Sequence, residues 1–364
     1  MTTDHAVAEI SPEELDSLRR SCTRFLHWHG WRPPADYLAE IPQDAAPDVY
    51  GEGGVVEELE REVASILGKQ VAVFLPSGTM AQQIALRVHA DRRSRRTILF
   101  HPTCHLDHFE GRGYERLHRL HGRPVGESSR LLTLDDLRSV SEPPAALLLE
   151  LPAREIGGQL PDWEELVSQA EWARSRGAAV HMDGARLWGC ESFYGRSLAE
   201  ISEPFDTVYV SFYKQLGALA GASVAGPEDV MADVREWRRR HGGTLYGLWP
   251  LAASGLNGLR TRFPRMPAYR QHALQIAEAL RDLPGADVLP DPPHTTMMHL
   301  FLRREPGALQ AAVVRLAREE RIWTLSFQPS GVPGVQRAEL EVGDATLQFS
   351  PEEFRNVIDR LLRG

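Results

Sequence analysis

From about residue 53 to about residue 227, short apolar runs alternate with stretches of helical periodicity, a pattern that commits the chain to a sheet with helices on its faces. The strand-like runs lie at 70–76, 97–102, 145–151, 178–183, 207–213 and 221–225, and the helical stretches include 55–67, 80–90 and 162–175. Because helices separate most of the strands, the sheet is expected to be largely parallel, with its functional residues gathered at the carboxyl ends of the strands. From about Met231 long helices take over, followed by short strands at 297–302, 323–327 and 337–342 and helices at 306–319 and 351–362. The expected organisation is an N-terminal segment, 1–47, docking on the rest; a large α/β domain, 48–243; and a smaller α+β domain, 244–364.

Composition narrows the function classes. A net charge of −9 and a pI of 5.9 disfavour a nucleic-acid or anionic-membrane surface. Three cysteines without metal-ligand spacing predict neither a disulfide framework nor a metal site. The first residues carry no basic flank before an apolar stretch, and no run of 18 apolar residues occurs. A soluble cytoplasmic protein is the expectation.

Of the 41 basic residues, only Lys69 and Lys214 are lysine, so any position satisfied by a generic cation has become arginine. Lys69 follows an amphipathic helix, where a cation suits the negative helix end. Lys214 instead follows a β-branched and aromatic run, Thr207–Tyr213, and precedes Gln215-Leu216-Gly217. An amine can lose its proton and form a Schiff base, which a guanidinium cannot do. A satisfied structural lysine is the competing reading.

Two other strand ends carry chemistry. At Leu75-Pro76-Ser77-Gly78-Thr79-Met80 a strand turns into a helix whose first amides, beside two hydroxyls and a glycine, can cradle a phosphate, although Ser and Thr also cap ordinary helices. At His181-Met182-Asp183-Gly184-Ala185-Arg186 an acid stands just past a strand, in a pattern that also suits a structural Asp–Arg pair. A phosphate cradle, an acid and a Schiff-base lysine in this order are the parts needed to hold pyridoxal 5′-phosphate. Asp183 would keep the ring nitrogen protonated, while Ser77, Gly78, Thr79 and Ser211 would anchor the phosphate.

These segments together resemble the threonine aldolase and aromatic amino acid β-eliminating lyase family of fold-type-I pyridoxal-phosphate enzymes. Asp48-Val49-Tyr50-Gly51-Glu52 is similar to the family's D-x-Y-G-(D/E), Pro76–Ala81 to its P-S-G-T-M-A, His181–Leu187 to its H-x-D-G-A-R-L, and Lys214–Ala218 to its K-x-L-G-A segment. His105, with Glu110 five residues on, resembles the segment whose histidine stacks on the cofactor ring. The resemblance runs from about Asp48 to about Gly243. It implies an aspartate-aminotransferase-like fold with a seven-stranded sheet and a smaller C-terminal domain, assembled as a homodimer or a dimer of dimers. Tyr50 and Arg239 would reach the neighbour's site, Arg239 toward its phosphate. His105 would also act as acid or base, Arg186 would bind the substrate carboxylate or the cofactor's phenolic oxygen, and Arg337 would be a second carboxylate ligand.

The departures lie where substrate would be touched. The family's S-D-T-x-T opening is missing, and His27, His29 and Trp31 are candidates to fill that space. Leu151-Pro152-Ala153-Arg154 stands where Asn-Thr is usual, Tyr213 replaces a small hydroxyl residue, and Gly242–Gly247 lacks the usual arginine. The expected activity is retro-aldol cleavage, or its reverse, of a β-hydroxy-α-amino acid to glycine or a related amino acid plus an aldehyde. Threonine itself would be a poor substrate and larger β-substituents better. β-Elimination or β-replacement is the alternative, and a cofactor-binding protein without turnover the third reading.

Overall fold

The computed structural model describes residues 10–363. Two compact units emerge: Pro34–Met266, and residues up to Pro33 together with Pro267–Gly364.

The second of these begins with a helix, Pro12–Ser21, whose start is fixed by reciprocal bonds between Ser11 and Glu14. A two-residue strand, β1 (Arg24–Phe25), follows.

The unit Pro34–Met266 is built on seven strands: β2 (Val71–Leu75), β3 (Thr97–Phe100), β4 (His121–Pro124), β5 (Ala146–Glu150), β6 (Ala179–Gly184), β7 (Thr207–Ser211) and β8 (Ala222–Gly226). Their order is β2-β8-β7-β6-β5-β3-β4, with only β8 antiparallel to its neighbours. The fold class read from the apolar runs is the one found. Strands such as β6 and β7 are buried along their whole length, as expected of a sheet covered on both faces. The helix Gly78–Arg93 packs Ala81, Ile84, Ala85 and Val88 against Val73, Leu75, Tyr209 and Val224. Most of the apolar runs extend past the strands at their carboxyl ends, and two of the overhanging residues still donate to a neighbouring strand, Leu151 to the Asp183 carbonyl at 2.9 Å and Phe212 to the Gly221 carbonyl at 3.1 Å.

In the other unit, β9 (Ala286–Leu289), β10 (Met297–Arg303), β12 (Phe327–Pro329) and β13 (Val335–Glu341) form an antiparallel sheet in the order β12-β13-β10-β9, and β11 (Ile322–Trp323) pairs in parallel with β1. The N-terminal segment therefore does not end at residue 47 as one piece. Residues up to Pro33 belong with the C-terminal sheet and those from Pro34 with the large one, and the helix Trp249–Thr261 also lies in the large unit instead of opening the small one. Among the described residues no helix is long and apolar enough to cross a membrane.

Asp48 shows how the large unit is closed. Its buried carboxylate accepts from the amides of Leu248 and Trp249, at the start of the helix Trp249–Thr261, and from Gly51 at 2.7 Å. Asp48→Ala strands three buried donors and is expected to cost about 3 kcal/mol or more, read as a fall in thermal midpoint that Asp48→Asn partly restores. An unchanged midpoint in Asp48→Ala would contradict this role.

Candidate active site

The ends of β5, β6 and β7 bring the reactive groups together. In the parallel register Glu150 stands opposite Asp183, so two carboxyl groups sit side by side on adjacent strands. Lys214, three residues past β7, is the nearest cation to Asp183 in electrostatic weight and also acts on Glu150. Burial raises the Asp183 carboxyl above its usual range, against the opposing pull of Lys214 and His105 and of the Ala185 amide, which donates to Oδ1 at 3.0 Å. Glu150 is pushed up to about 8, by burial first and by the neighbouring Asp183 charge second.

His105 opens a short helix, His105–His108, and is held at both ends. Its amide donates to Glu150 Oε1 at 2.7 Å, and its Nδ1 meets Glu110 Oε1 at 3.2 Å. With Nδ1–H directed at a buried carboxylate, Nε2 is left as the basic nitrogen. The His105 ring also lies against Phe109, at 5.2 Å between centroids, and the Arg154 guanidinium covers that phenyl ring at 5.4 Å.

The cradle at Ser77-Gly78-Thr79 forms the N-terminus of the 16-residue helix Gly78–Arg93, with Ser77 as its cap. Thr79 is exposed and Gly78 buried. A Cβ on Gly78 would stand 2.2 Å from the Tyr209 hydroxyl, which bonds Tyr213. Tyr213 in turn presents its ring 5.8 Å from Lys214 Nζ, so an aromatic pair spans from the cradle to the lysine. Nothing in the sequence singled out Tyr209, which reads there as an ordinary strand aromatic.

The other nominated residues fall into three groups. Ser211 is buried, and its hydroxyl donates to the Ala185 carbonyl at 2.9 Å, tying the end of β7 to the turn after β6. Arg186 is buried in that turn and acts electrostatically on Tyr213. Tyr50 and Arg239 line an open cavity of about 660 Å³ with Val49, Glu52 and Thr244. Arg337 lies in the other unit, on β13 between Phe301 and Gln328, and His27, His29 and Trp31 also belong to that unit. Lys69 is structural: its ammonium donates to the carbonyls of Ser202 and Phe205, at the end of a helix other than the one it follows.

Two further residues hold the cradle and carry no sequence signal. Arg238 donates to the Phe74 carbonyl at 2.7 Å, while Glu60 accepts from the Phe74 amide at 2.7 Å, fixing the last turns of β2 before Ser77.

Residues 36–304 match the family model described as beta-eliminating lyase. The chain belongs to the beta-eliminating lyase family. A low specificity L-threonine aldolase of Escherichia coli is 32% identical over 254 residues, 67% of this lyase and 75% of that protein. Among solved structures, a Listeria monocytogenes protein provisionally described as an L-allo-threonine aldolase is 37% identical, with a TM-score of 0.89 over 95% of this chain and 98% of that one. An Exiguobacterium protein provisionally described as an aromatic amino acid beta-eliminating lyase/threonine aldolase is 36% identical, also at 0.89, over 95% and 99%. The lyase thus has the fold-type-I architecture and is an enzyme of the threonine aldolase kind, a carbon–carbon lyase.

The contact between Gly78 and Tyr209 is directly testable. Gly78→Ala is expected to destabilise the lyase by about 1–3 kcal/mol through overpacking, and Tyr209→Phe in the same chain to recover most of it by removing the obstructing oxygen. A thermal midpoint indifferent to Gly78→Ala, or no recovery in the double variant, would refute the contact.

Proposed function

We propose that this lyase carries pyridoxal phosphate on Lys214 and cleaves β-hydroxy-α-amino acids bearing a β-substituent larger than the methyl group of threonine. The observation that carries the reading is the grouping of Lys214, Asp183 and His105 at three strand ends beside the glycine cradle.

The residues present fit the cofactor. Gly78 and Thr79 open a helix whose first amides can take a phosphate, Lys214 is the lysine of the site, and Asp183 is a buried acid on which Lys214 acts. When bound, the cofactor supplies an electron sink for the pair left by the broken bond at the α-carbon. Lys214 attaches the cofactor and exchanges a proton at Nζ. Asp183 holds the proton on the ring nitrogen. The amides of Gly78 and Thr79, with the hydroxyls of Ser77 and Thr79, bind the phosphate. His105 would help hold the cofactor ring and would take the β-hydroxyl proton at Nε2, with Glu110 steadying the imidazole. Arg186 binds the substrate carboxylate, and Arg337 is the second candidate for that contact. Products are an amino acid and an aldehyde.

Phe109 supports the larger substrate. It is 55% exposed, between the His105 ring and the Arg154 guanidinium, and adds exposed apolar surface that suits an aryl group at Cβ. In place of a polar Asn-Thr pair, Leu151 and Ala153 are buried apolar residues. Assembly as a dimer, with Tyr50 and Arg239 reaching the neighbour's site, is supported by the exposed Val49, Tyr50, Leu245 and Tyr246, a cluster unusual for a monomer surface. Cys22, Cys104 and Cys190 are all free and buried, which suits a reducing cytoplasm.

Borohydride treatment of the purified yellow protein is expected to bleach its long-wavelength absorbance and to leave a pyridoxyl group on Lys214 in peptide maps. Modification of Lys69, or a protein that takes up no cofactor, would end the reading. In a panel of amino acids, kcat/KM for phenylserine is expected to exceed that for threonine by about tenfold or more, and Phe109→Ala to lower the phenylserine value selectively. Keto acid and ammonia from serine or cysteine, with no aldehyde from any β-hydroxy amino acid, would move the enzyme to β-elimination.

A further inference from the structure

Glu150 is absent from the roles above, yet several groups of the site converge on it. It lies beside Asp183 across the parallel pair of β5 and β6. Its Oε1 accepts the His105 amide at 2.7 Å, and the buried Cys104 thiol bonds the same carboxyl. Lys214 approaches from beyond β7. From the β3 side His101 shares with it a small cavity of about 30 Å³, and both imidazole nitrogens of His101 are occupied, Nδ1 by Thr103 and Nε2 by the carbonyls of Glu127 and Arg130. Glu110 reaches the cluster through His105. The groups that act on Glu150 are thus the Asp183 carboxylate, the Lys214 ammonium, the Cys104 thiol and the His105 amide, with the His101 imidazole across the shared cavity.

We propose that Glu150 is the proton-holding partner of Asp183, a positioning residue that keeps the pair at one negative charge and aligns His105 through its backbone amide. Two adjacent carboxyls, Asp183 buried and Glu150 half-buried, cannot both ionise cheaply, and the first proton lost leaves the other bound more tightly. Lys214 and His105 both pull on Asp183, and the Ala185 amide bonds its ionised form, so Asp183 is the member that carries the charge. Glu150 keeps the proton, consistent with its ionisation being pushed up to about 8. A neutral acid still accepts the His105 amide through its carbonyl oxygen, so the helix start is held in both protonation states. The consequence is a site presenting one anion to the ring nitrogen near neutral pH and two above it.

The inference rests on the reading of Asp183 as the ring-nitrogen partner, but it can be measured without turnover. Infrared difference spectra of the full chain between about pH 6 and about pH 9 are expected to show a protonated carboxyl band that fades near pH 8, and Glu150→Gln to lack it. In Asp183→Asn, with the like charge gone, the same band is expected to fade about one pH unit or more lower. Stability supplies a second readout. A carboxyl whose ionisation is raised in the folded chain adds stability below its unfolded value and loses it as pH rises through its folded value. Between about pH 5 and about pH 8 the wild type is therefore expected to lose thermal midpoint relative to Glu150→Gln. A wild-type band missing at neutral pH, or a band unmoved by Asp183→Asn, overturns the proposal. Should Glu150→Gln fail to fold, the wild type and Asp183→Asn decide it alone. A colourless protein with the band and its shift intact supports the carboxyl pair and counts against the ring-nitrogen assignment only.

Discussion

The parallel register that sets Glu150 against Asp183 brings two acids and an amine to one end of the sheet, where Asp183 is buried and water screens Glu150 and Lys214 only in part. At the usual strand spacing of roughly 4.8 Å and an effective dielectric near ~20, two like charges repel by about 3–4 kcal/mol. That repulsion, with the loss of hydration, decides which group is charged. Lys214 and the Ala185 amide lower the cost of one carboxylate and cannot lower it equally for two. The site's charge is therefore a property of the strand pairing, and a slip of one residue in β5 against β6 would dissolve it.

Around that centre the structure spends its buried polar contacts on holding strand ends still. β2 ends at the cradle, and its last residues are gripped by Arg238 and Glu60, themselves 3.9 Å apart. Gly51 belongs to the same arrangement, since a Cβ there would approach the Arg238 guanidinium to 2.6 Å. The D-x-Y-G segment thus acts through structure. Its aspartate closes the start of the helix Trp249–Thr261, its glycine makes room for Arg238, and its tyrosine is left outward, with a left-handed backbone at φ 53°. On the far side, Gly258 lets that helix approach the Leu216 carbonyl, where a Cβ would come within 2.6 Å, and so supports the loop that follows Lys214.

The large sheet was legible because its strands are buried on both faces and stand out as apolar runs between helices. β4 was not, because His121-Gly122-Arg123-Pro124 is a polar strand at the sheet edge, with a composition that reads as loop. The grouping of the chain's two ends has no local signal for a different reason. Arg24 pairs with Ile322 across almost the whole chain, and no local periodicity reports a partner that distant. In the site, Lys214 could be read as a rare residue type at a strand end and Asp183 as an acid at the end of another. Glu150 also ends a strand, but its significance lies in the residue across from it, and Tyr209 and Arg238 matter through contacts with a glycine and a carbonyl. Those are facts of register and packing, with no signature in the types themselves. Ser211 shows a contact the types also hide, since its hydroxyl donates to the Ala185 carbonyl and ties two strand ends together.

Beneath the reactive layer a second polar arrangement contrasts with the first. His181, two residues before Asp183 on β6, meets Gln82 Oε1 through Nε2 and Thr207 Oγ1 through Nδ1, both at 2.7 Å. Thr207 also meets His89 Nε2 at 2.7 Å, and His89 Nδ1 faces the Arg93 guanidinium at 3.5 Å. With Gln82 accepting, only one direction satisfies every atom: Arg93 donates to His89, His89 to Thr207, Thr207 to His181 and His181 to Gln82. Burial pushes both imidazoles down to about 3, His89 with the further repulsion of Arg93, so neither takes up a second proton near neutral pH. The chain therefore keeps its direction while Glu150 and Asp183 exchange protons above it. It joins β6 and β7 to the helix Gly78–Arg93, the same helix whose first turn forms the cradle, so the acid and the cradle are braced by a network that does not titrate with them.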